Sequence, residues 1–292
     1  MKRLIGLSLG LCLVSAGIGA LAQDMSGGEP PPKVLVIQRE FVKPGKGGAI
    51  HEKSESAFVQ AMRNAKASGH YIAASAMTGR PRVLFFTGYD SFDAWEKDNA
   101  SVEKNTALSA ALDHATLADG ELLSDADQTV ATFSEEQSLR PNVDMPHMRF
   151  LEISLFRIKP GHGHDWEEIV KLVKAAYQKV PDAHWATFEV AYGLEGTTYL
   201  VFSGLKSLAE VDREDAQDKD FMANMGEDGM KKLGELEAAA IEFRQTNLFA
   251  LTPSMSYPPD EWIKADSDFW KPKMPARAKP MEAKPEKEKP KQ

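Results

Sequence analysis

The segment Val42-Lys43-Pro44-Gly45-Lys46-Gly47 recurs as Ile158-Lys159-Pro160-Gly161-His162-Gly163, an offset near 116 residues. Leu35, Ile37 and Glu52 match Leu151, Ile153 and Glu168 at the same spacing, giving seven identities in the nineteen positions 34–52. Further on, Gly69-His70-Tyr71 meets Ala183-His184-Trp185. Leu84, Phe86, Gly88 and Ser91 meet Leu200, Phe202, Gly204 and Ser207, and Gln128-Thr129 meets Gln245-Thr246. The small slips in register fall between elements, where loops tolerate insertion. A chain that repeats itself over this length folds as two like units, 33–133 and 147–252, joined by a linker at 134–146.

Each unit carries the same run of local signals. Val34 to Val42 and Met148 to Ile158 are β-rich and end in Lys-Pro-Gly, where Pro presets the turn and Gly accepts positive φ. A helix follows. In the second unit Trp166, Ile169, Val170, Val173, Ala176, Tyr177 and Val180 form one apolar stripe. In the first, Ile50, Ala57, Phe58, Ala61, Met62 and Ala65 form a weaker one. Two strands come next, His70–Met77 with Arg82–Tyr89, and His184–Tyr192 with Thr198–Leu205, each pair joined by a Gly-containing turn. Ser207-Leu208-Ala209-Glu210 has the form of a capping box, and Asp90–Asp93 resembles it. A last strand closes each unit, Gln128–Phe133 and Gln245–Leu251.

The order β-α-β-β-α-β is the ferredoxin-like unit. Its sheet bears helices on one face only, so the other face must find a cover. Two tandem copies supply that cover for each other. The expected fold is α+β: two ferredoxin-like repeats packed as an intramolecular pseudo-dimeric α/β barrel, monomeric because the pseudo-dimer lies within one chain.

The strand–[VI]-K-P-G–helix opening and the β-β-α-β remainder resemble the dimeric α/β-barrel superfamily, with its antibiotic-biosynthesis-monooxygenase-like and NIPSNAP-like domains. The resemblance spans nearly all of 33–252 and rests on a turn rather than a catalytic motif. It implies a barrel with a pocket. It carries over no activity, because the superfamily hosts cofactor-free oxygenases, haem-degrading enzymes and proteins without known chemistry.

The ends point to export. Lys2-Arg3, an apolar run from Leu4 to Ile18 and the small-x-small pattern Ala20-Leu21-Ala22 form a signal peptide over 1–22, followed by a flexible leader over 23–32. Leu11 before Cys12 spoils a lipobox, so lipidation is not expected. Cys12 is the chain's one cysteine, so the mature protein has neither disulfides nor thiolate chemistry. Residues 253–270 hold Trp262, Phe269 and Trp270 and should pin an extension onto the barrel. Residues 271–292 are a basic, Pro-spaced stretch with net charge +5, expected to be disordered and able to touch an anionic envelope weakly. The net charge of −8 argues against nucleic-acid binding.

Candidate chemistry is sparse. His70-Tyr71 and His184-Trp185 are repeat-symmetric pairs that could offer a proton shuttle or haem ligand beside a flat aromatic wall. Strand alternation groups Arg39, Tyr71, Ser75 and Tyr89 in one repeat, and Arg157, Trp185, Glu189 and Tyr199 in the other, as side chains for the interior. Glu189 would then pair with Arg39 or Arg157. His162-Gly163-His164-Asp165 is too small a ligand set and has no echo at Lys46–Ala49, so it reads as a helix-capping turn. The acidic run Asp212–Asp220 lacks the EF-hand glycine and glutamate. Neither a metal site nor a cofactor is expected. These residues imply a protein that binds a small apolar ligand or serves structurally; the alternative is a cofactor-independent monooxygenase or haem-handling enzyme.

Overall fold

The computed structural model describes residues 28–271, leaving out the side chains of residues 214–216. The expected signal peptide, the leader before residue 28 and the tail after Lys271 lie outside the described residues. The first repeat contributes β1 (Val34–Val42), α1 (Ala49–Ala65), β2 (Ile72–Ala76), β3 (Arg82–Tyr89), α2 (Phe92–Lys104), α3 (Thr106–Gly120) and β4 (Leu123–Leu139). The second contributes β5 (Phe150–Ile158), α4 (Gly163–Tyr177), β6 (Trp185–Tyr192), β7 (Thr197–Leu205), α5 (Ala209–Ala240) and β8 (Ile241–Leu251). Two short helices, α6 (Asp260–Ala265) and α7 (Ser267–Trp270), follow.

The strands close into one antiparallel barrel in the order β1-β3-β2-β8-β5-β7-β6-β4. Within each half the order is that of a ferredoxin-like sheet, and the halves join edge to edge through β2–β8 and β4–β6. The fold is therefore a tandem, pseudo-dimeric α/β barrel. Closure leaves no sheet edge unpaired, which removes the usual template for aggregation.

Local chemistry explains the elements. Both Lys-Pro-Gly turns place their glycine at positive φ, 76° at Gly45 and 86° at Gly161. Ser91 caps α2 by accepting from the Ala94 N–H at 3.1 Å, and Asn105 caps α3 by accepting from the Leu108 N–H at 3.1 Å. Asn105 separates two helices in the first repeat. In the second, Gly226 leaves helical geometry inside α5 (φ 69°) and marks the matching break.

Some expectations need correction. The β4 strand runs to Leu139, so the first part of the expected linker is strand, pairing with β6 through Ser134 and Leu139. Ser207 does not cap α5; its N-cap is Leu208, and Glu210 instead accepts from the Lys206 N–H at 3.2 Å. Residues 29–32 of the leader are held on the barrel: Glu29 bridges to Val143 and accepts from Trp262 Nε1 at 3.1 Å.

Strand register sorts the side chains. Arg39 lies opposite Leu84 and Leu84 opposite Ala74, so these share the inner face. Leu35, Ile37, Leu84, Ala131, Leu151, Ile153, Phe188, Leu200 and Phe249 meet inside the barrel. Each of the larger side chains among them contributes about 1.5–3 kcal/mol on full burial. The outer faces are covered by α1 and α3 on one half and by α4 and α5 on the other. The extension closes on the core through Trp262 and the fully buried Trp270, whose Nε1 donates to the Pro146 carbonyl at 2.8 Å.

Candidate functional site

A cavity of about 810 Å³ opens at one end of the barrel. Its inner wall is apolar, with Leu35, Ile72, Phe86, Leu151, Phe188 and Phe202, all from inward-facing strand positions. Pro30, Pro31 and Pro32 border it, together with Trp262 and Val143. Gly88 makes room for this strap: a Cβ there would stand 2.8 Å from Pro32 Cβ.

His70 and His184 both line this cavity, one from each repeat. His184 is fixed by the backbone, with Nδ1 2.8 Å from the Asp182 carbonyl and Nε2 3.0 Å from the Gly204 carbonyl. The His70 ring packs against Tyr257 at 4.8 Å, and its buried Nδ1 has no hydrogen-bond partner. The two repeats thus present the same residue in different states: one with both ring nitrogens held by backbone carbonyls, one with an enclosed Nδ1 that lacks a partner.

The aromatic halves of these pairs do not join them. Neighbours on a strand point to opposite faces, so Tyr71 packs outside on Phe85 and Met255, and Trp185 packs outside on Leu139, Val180 and Ala183. Glu189 is also misassigned by the interior reading. It lies opposite Tyr199 on the outer, helix-bearing face and is exposed. Tyr199 stacks on Trp166 at 4.9 Å there, and Tyr89 donates to Asp98 at 2.9 Å. Arg39 and Arg157 do face inward, but neither lines the cavity. Arg39 forms a two-pronged ion pair with Asp127 rather than with Glu189, and Arg157 has a buried Nε without a partner. The error arose because the inward parity differs between strands: odd on β1 and β5, even on β2 and β6.

A second group was not legible as a site in the sequence. Glu40 on β1, His51 and Glu55 on α1, and Asp119 on α3 bring their donor atoms within 4.8 Å of one another. His51 Nε2 is 3.2 Å from Glu40 Oε2, 3.5 Å from Asp119 Oδ1 and 3.7 Å from Glu55 Oε1. Their exposures are 9% for Glu40, 1% for His51, 3% for Glu55 and 2% for Asp119. Burial pushes the Glu55 carboxyl up to about 9, with the Glu40 and Asp119 charges adding to the effect. Burial also raises Glu40. At His51 burial acts downward, yet the Asp119 carboxylate at 3.5 Å, the hydrogen bond with Glu40 and the Glu55 carboxylate outweigh it, lifting the imidazole to about 10.

The apolar-stripe reading of α1 hid this group. Ile50 is 52% exposed, while the face turned inward is His51, Glu55 and Val59. The available signal was His51 and Glu55 at i and i+4, one turn before Val59 on the same face.

No protein-family model matches the sequence, and no curated protein matches it in a sequence search. Solved structures do resemble it in shape. An anthrone oxidase-like protein is 15% identical with a TM-score of 0.49, covering 75% of this chain and 92% of that one. A monooxygenase-like protein of Fusobacterium nucleatum is 11% identical with a TM-score of 0.46, covering 76% and 93%. Chlorite dismutase of Candidatus Nitrospira defluvii, in complex with imidazole, is 10% identical with a TM-score of 0.41, covering 80% and 95%. These likenesses concern the placement of strands and helices alone.

Proposed function

We propose that the protein binds a small, largely apolar molecule in the barrel-end cavity, against the His70 side chain on its wall. The observation that carries this reading is an apolar cavity of about 810 Å³ with a few polar side chains, His70 and His184 among them, on its wall. Ligand pockets of about 300–1,000 Å³ hold drug-sized molecules, and a few polar groups in an apolar wall fix their orientation. A hydroxyl or carboxylate on a flat aromatic body suits both features. The His pair does not fit haem ligation as it stands, because both nitrogens of His184 already face backbone carbonyls.

The test is titration of the purified chain with 1-anilinonaphthalene-8-sulfonate and with quinol-type aromatics, followed through the fluorescence of Trp262 at the cavity wall. Saturable binding, weakened about tenfold or more in His70→Ala and abolished by Ala186→Trp, supports the reading. Binding unaffected by both variants would remove it. A Soret band after haemin addition, or oxidation of the quinol, would replace it with the haem-handling or oxygenase alternative.

The same reading includes an exported monomer. The charged start, apolar run and Ala20-Leu21-Ala22 pattern support secretion or a periplasmic location. A mature N-terminus at Gln23 in secreted material, and one-chain mass by light scattering, test these two points. Among the described residues no helix is long and apolar enough to cross a membrane. The basic segment after residue 270 would supply weak contact with an anionic envelope, tested by pelleting residues 23–292 and 23–270 with anionic liposomes at two salt concentrations.

A further inference from the structure

The group Glu40–His51–Glu55–Asp119 lies apart from the barrel-end cavity, on the outer face of the sheet. Glu40 and Leu35 are five residues apart on β1, roughly 17 Å at strand rise, and they point to opposite faces. We propose that Glu40, His51, Glu55 and Asp119 bind one divalent first-row transition ion of the manganese–iron–zinc class, clamping α1 and α3 to β1.

Three observations carry this. First, Glu55 Oε1 and Asp119 Oδ1 are enclosed yet make no well-formed hydrogen bond, with His51 Nε2 standing off at 3.7 and 3.5 Å, and the two residues are only 3% and 2% exposed. Buried acceptors in native proteins are satisfied, and orphans in one small space ask for an occupant. Second, three carboxylates share one histidine, and among the described residues no lysine or arginine forms an ion pair with any of them. Carboxyl groups at this depth either hold protons or are offset by a cation. Third, the second repeat solves the same position without polarity. Glu40 lies opposite Val83, as Phe156 lies opposite Tyr199, and Phe156 and Tyr199 flank Trp166 at 5.2 and 4.9 Å. The barrel therefore does not need a polar cluster here in order to close.

The chemistry narrows the ion. One imidazole nitrogen with three carboxylate oxygens is a borderline-to-hard set, suited to Mn²⁺, Fe²⁺ or Zn²⁺, whereas Ca²⁺ and Mg²⁺ prefer oxygen alone. The 3.2, 3.5 and 3.7 Å separations of His51 Nε2 from the three carboxylates already match the roughly 3.4 Å ligand–ligand spacing of a tetrahedral ion with bonds of about 2.0–2.2 Å, and a pair 4.8 Å apart would close by more than about 1 Å. All four side chains are enclosed, so the coordination is closed and the role is to hold the repeat together.

The experiment uses the full mature chain, stripped with chelator and then dialysed against Mn²⁺ or Zn²⁺. Metal content and thermal midpoint are read for wild type, Glu55→Gln, Asp119→Asn and the surface control His162→Ala. The expected result is one equivalent per chain in wild type and control. The midpoint should rise by roughly 5–10 °C at a hundredfold excess over Kd. Both effects should be lost in the two carboxamide variants with circular dichroism unchanged. If neither carboxamide variant folds, Co²⁺ added to the wild type decides: d–d bands of a dehydrated N/O-ligated ion support the site, and the aqua-ion spectrum overturns it. Absence of stoichiometric metal in wild type, or full metal content in folded Glu55→Gln and Asp119→Asn, also overturns it and leaves shared protons as the occupants.

Discussion

Glu40 and Phe156 hold the same register position in the two halves of the barrel, one opposite Val83 and the other opposite Tyr199. Around the carboxylate gather His51, Glu55 and Asp119; around the phenyl ring gather Trp166 and Tyr199. One backbone frame thus supports two incompatible interiors, and their energetics should differ in measurable ways.

Removing the histidine leaves three enclosed carboxylates facing one another. His51→Ala should cost about 3–5 kcal/mol, the scale for breaking a buried charge group by deleting one partner. The shift of the urea midpoint measures it. A loss under 1 kcal/mol would mean that the carboxyls are neutralised without His51.

Chelator-treated protein should lose stability as pH rises. Glu55 binds its proton up to about 9 in the folded state against an ordinary 4.5, and His51 up to about 10 against 6.5. Both folded values lie above the unfolded ones, so the folded state holds more protons across that window. The stabilisation is complete below pH 4.5 for Glu55 and below 6.5 for His51, and it disappears as pH climbs through 9 to 10. Glu40 adds in the same direction, Asp119 joins from α3, and Tyr71, just before β2, faces the group. Urea midpoints in EDTA between pH 5 and 9.5 should fall steadily; a flat profile would refute the coupling. Saturating metal should flatten the slope by replacing the protons.

The extension is part of the core rather than an appendage. Trp270 is 0% exposed and packs on Trp262 at 5.4 Å. Trp270→Ala should cost about 3–5 kcal/mol, within the range for emptying a large aromatic site. Equilibrium unfolding checks this, and a cost below 1 kcal/mol would show that the extension docks without stabilising the barrel.

Gly88 sets how closely the proline strap lies over the cavity. Gly88→Ala would put a methyl 2.8 Å from Pro32 Cβ, so the strap must lift while the β1–β3 pairing persists. Hydrogen exchange should rise at Glu29 and Val143, the bridge that ties the strap down, with the strands unchanged. Exchange confined to wild-type levels at both residues would show that the strap shifts without loosening.

Legibility in the sequence followed the physics of each feature. The duplicated Lys-Pro-Gly turn and the β-α-β-β-α-β order were readable because turns and periodicities are local. Closure into a barrel followed from a sheet face that needed a cover. The His70–His184 pair was visible as a symmetric motif, and both residues do reach the cavity. The inward parity of each strand was not visible, because register between strands depends on pairing across the whole barrel; Tyr71, Trp185 and Glu189 therefore went to the wrong face. The Glu40–His51–Glu55–Asp119 group was hidden for a different reason. It unites a strand, the first helix and the end of the third, and each residue taken alone looks like an ordinary solvated charge. The one hint was the i, i+4 spacing of His51 and Glu55 ahead of Val59 on a helix whose apolar stripe was weak.

The edge pairings β2–β8 and β4–β6 have a consequence for how such a molecule diversifies. In a barrel assembled from two identical chains, every substitution is made twice and must suit both lobes. Joining the lobes in a single polypeptide lifts that symmetry constraint while preserving the closed wall. His184 could become anchored while its counterpart His70 kept a free nitrogen, and one flank could accumulate acids while its mirror position filled with aromatics.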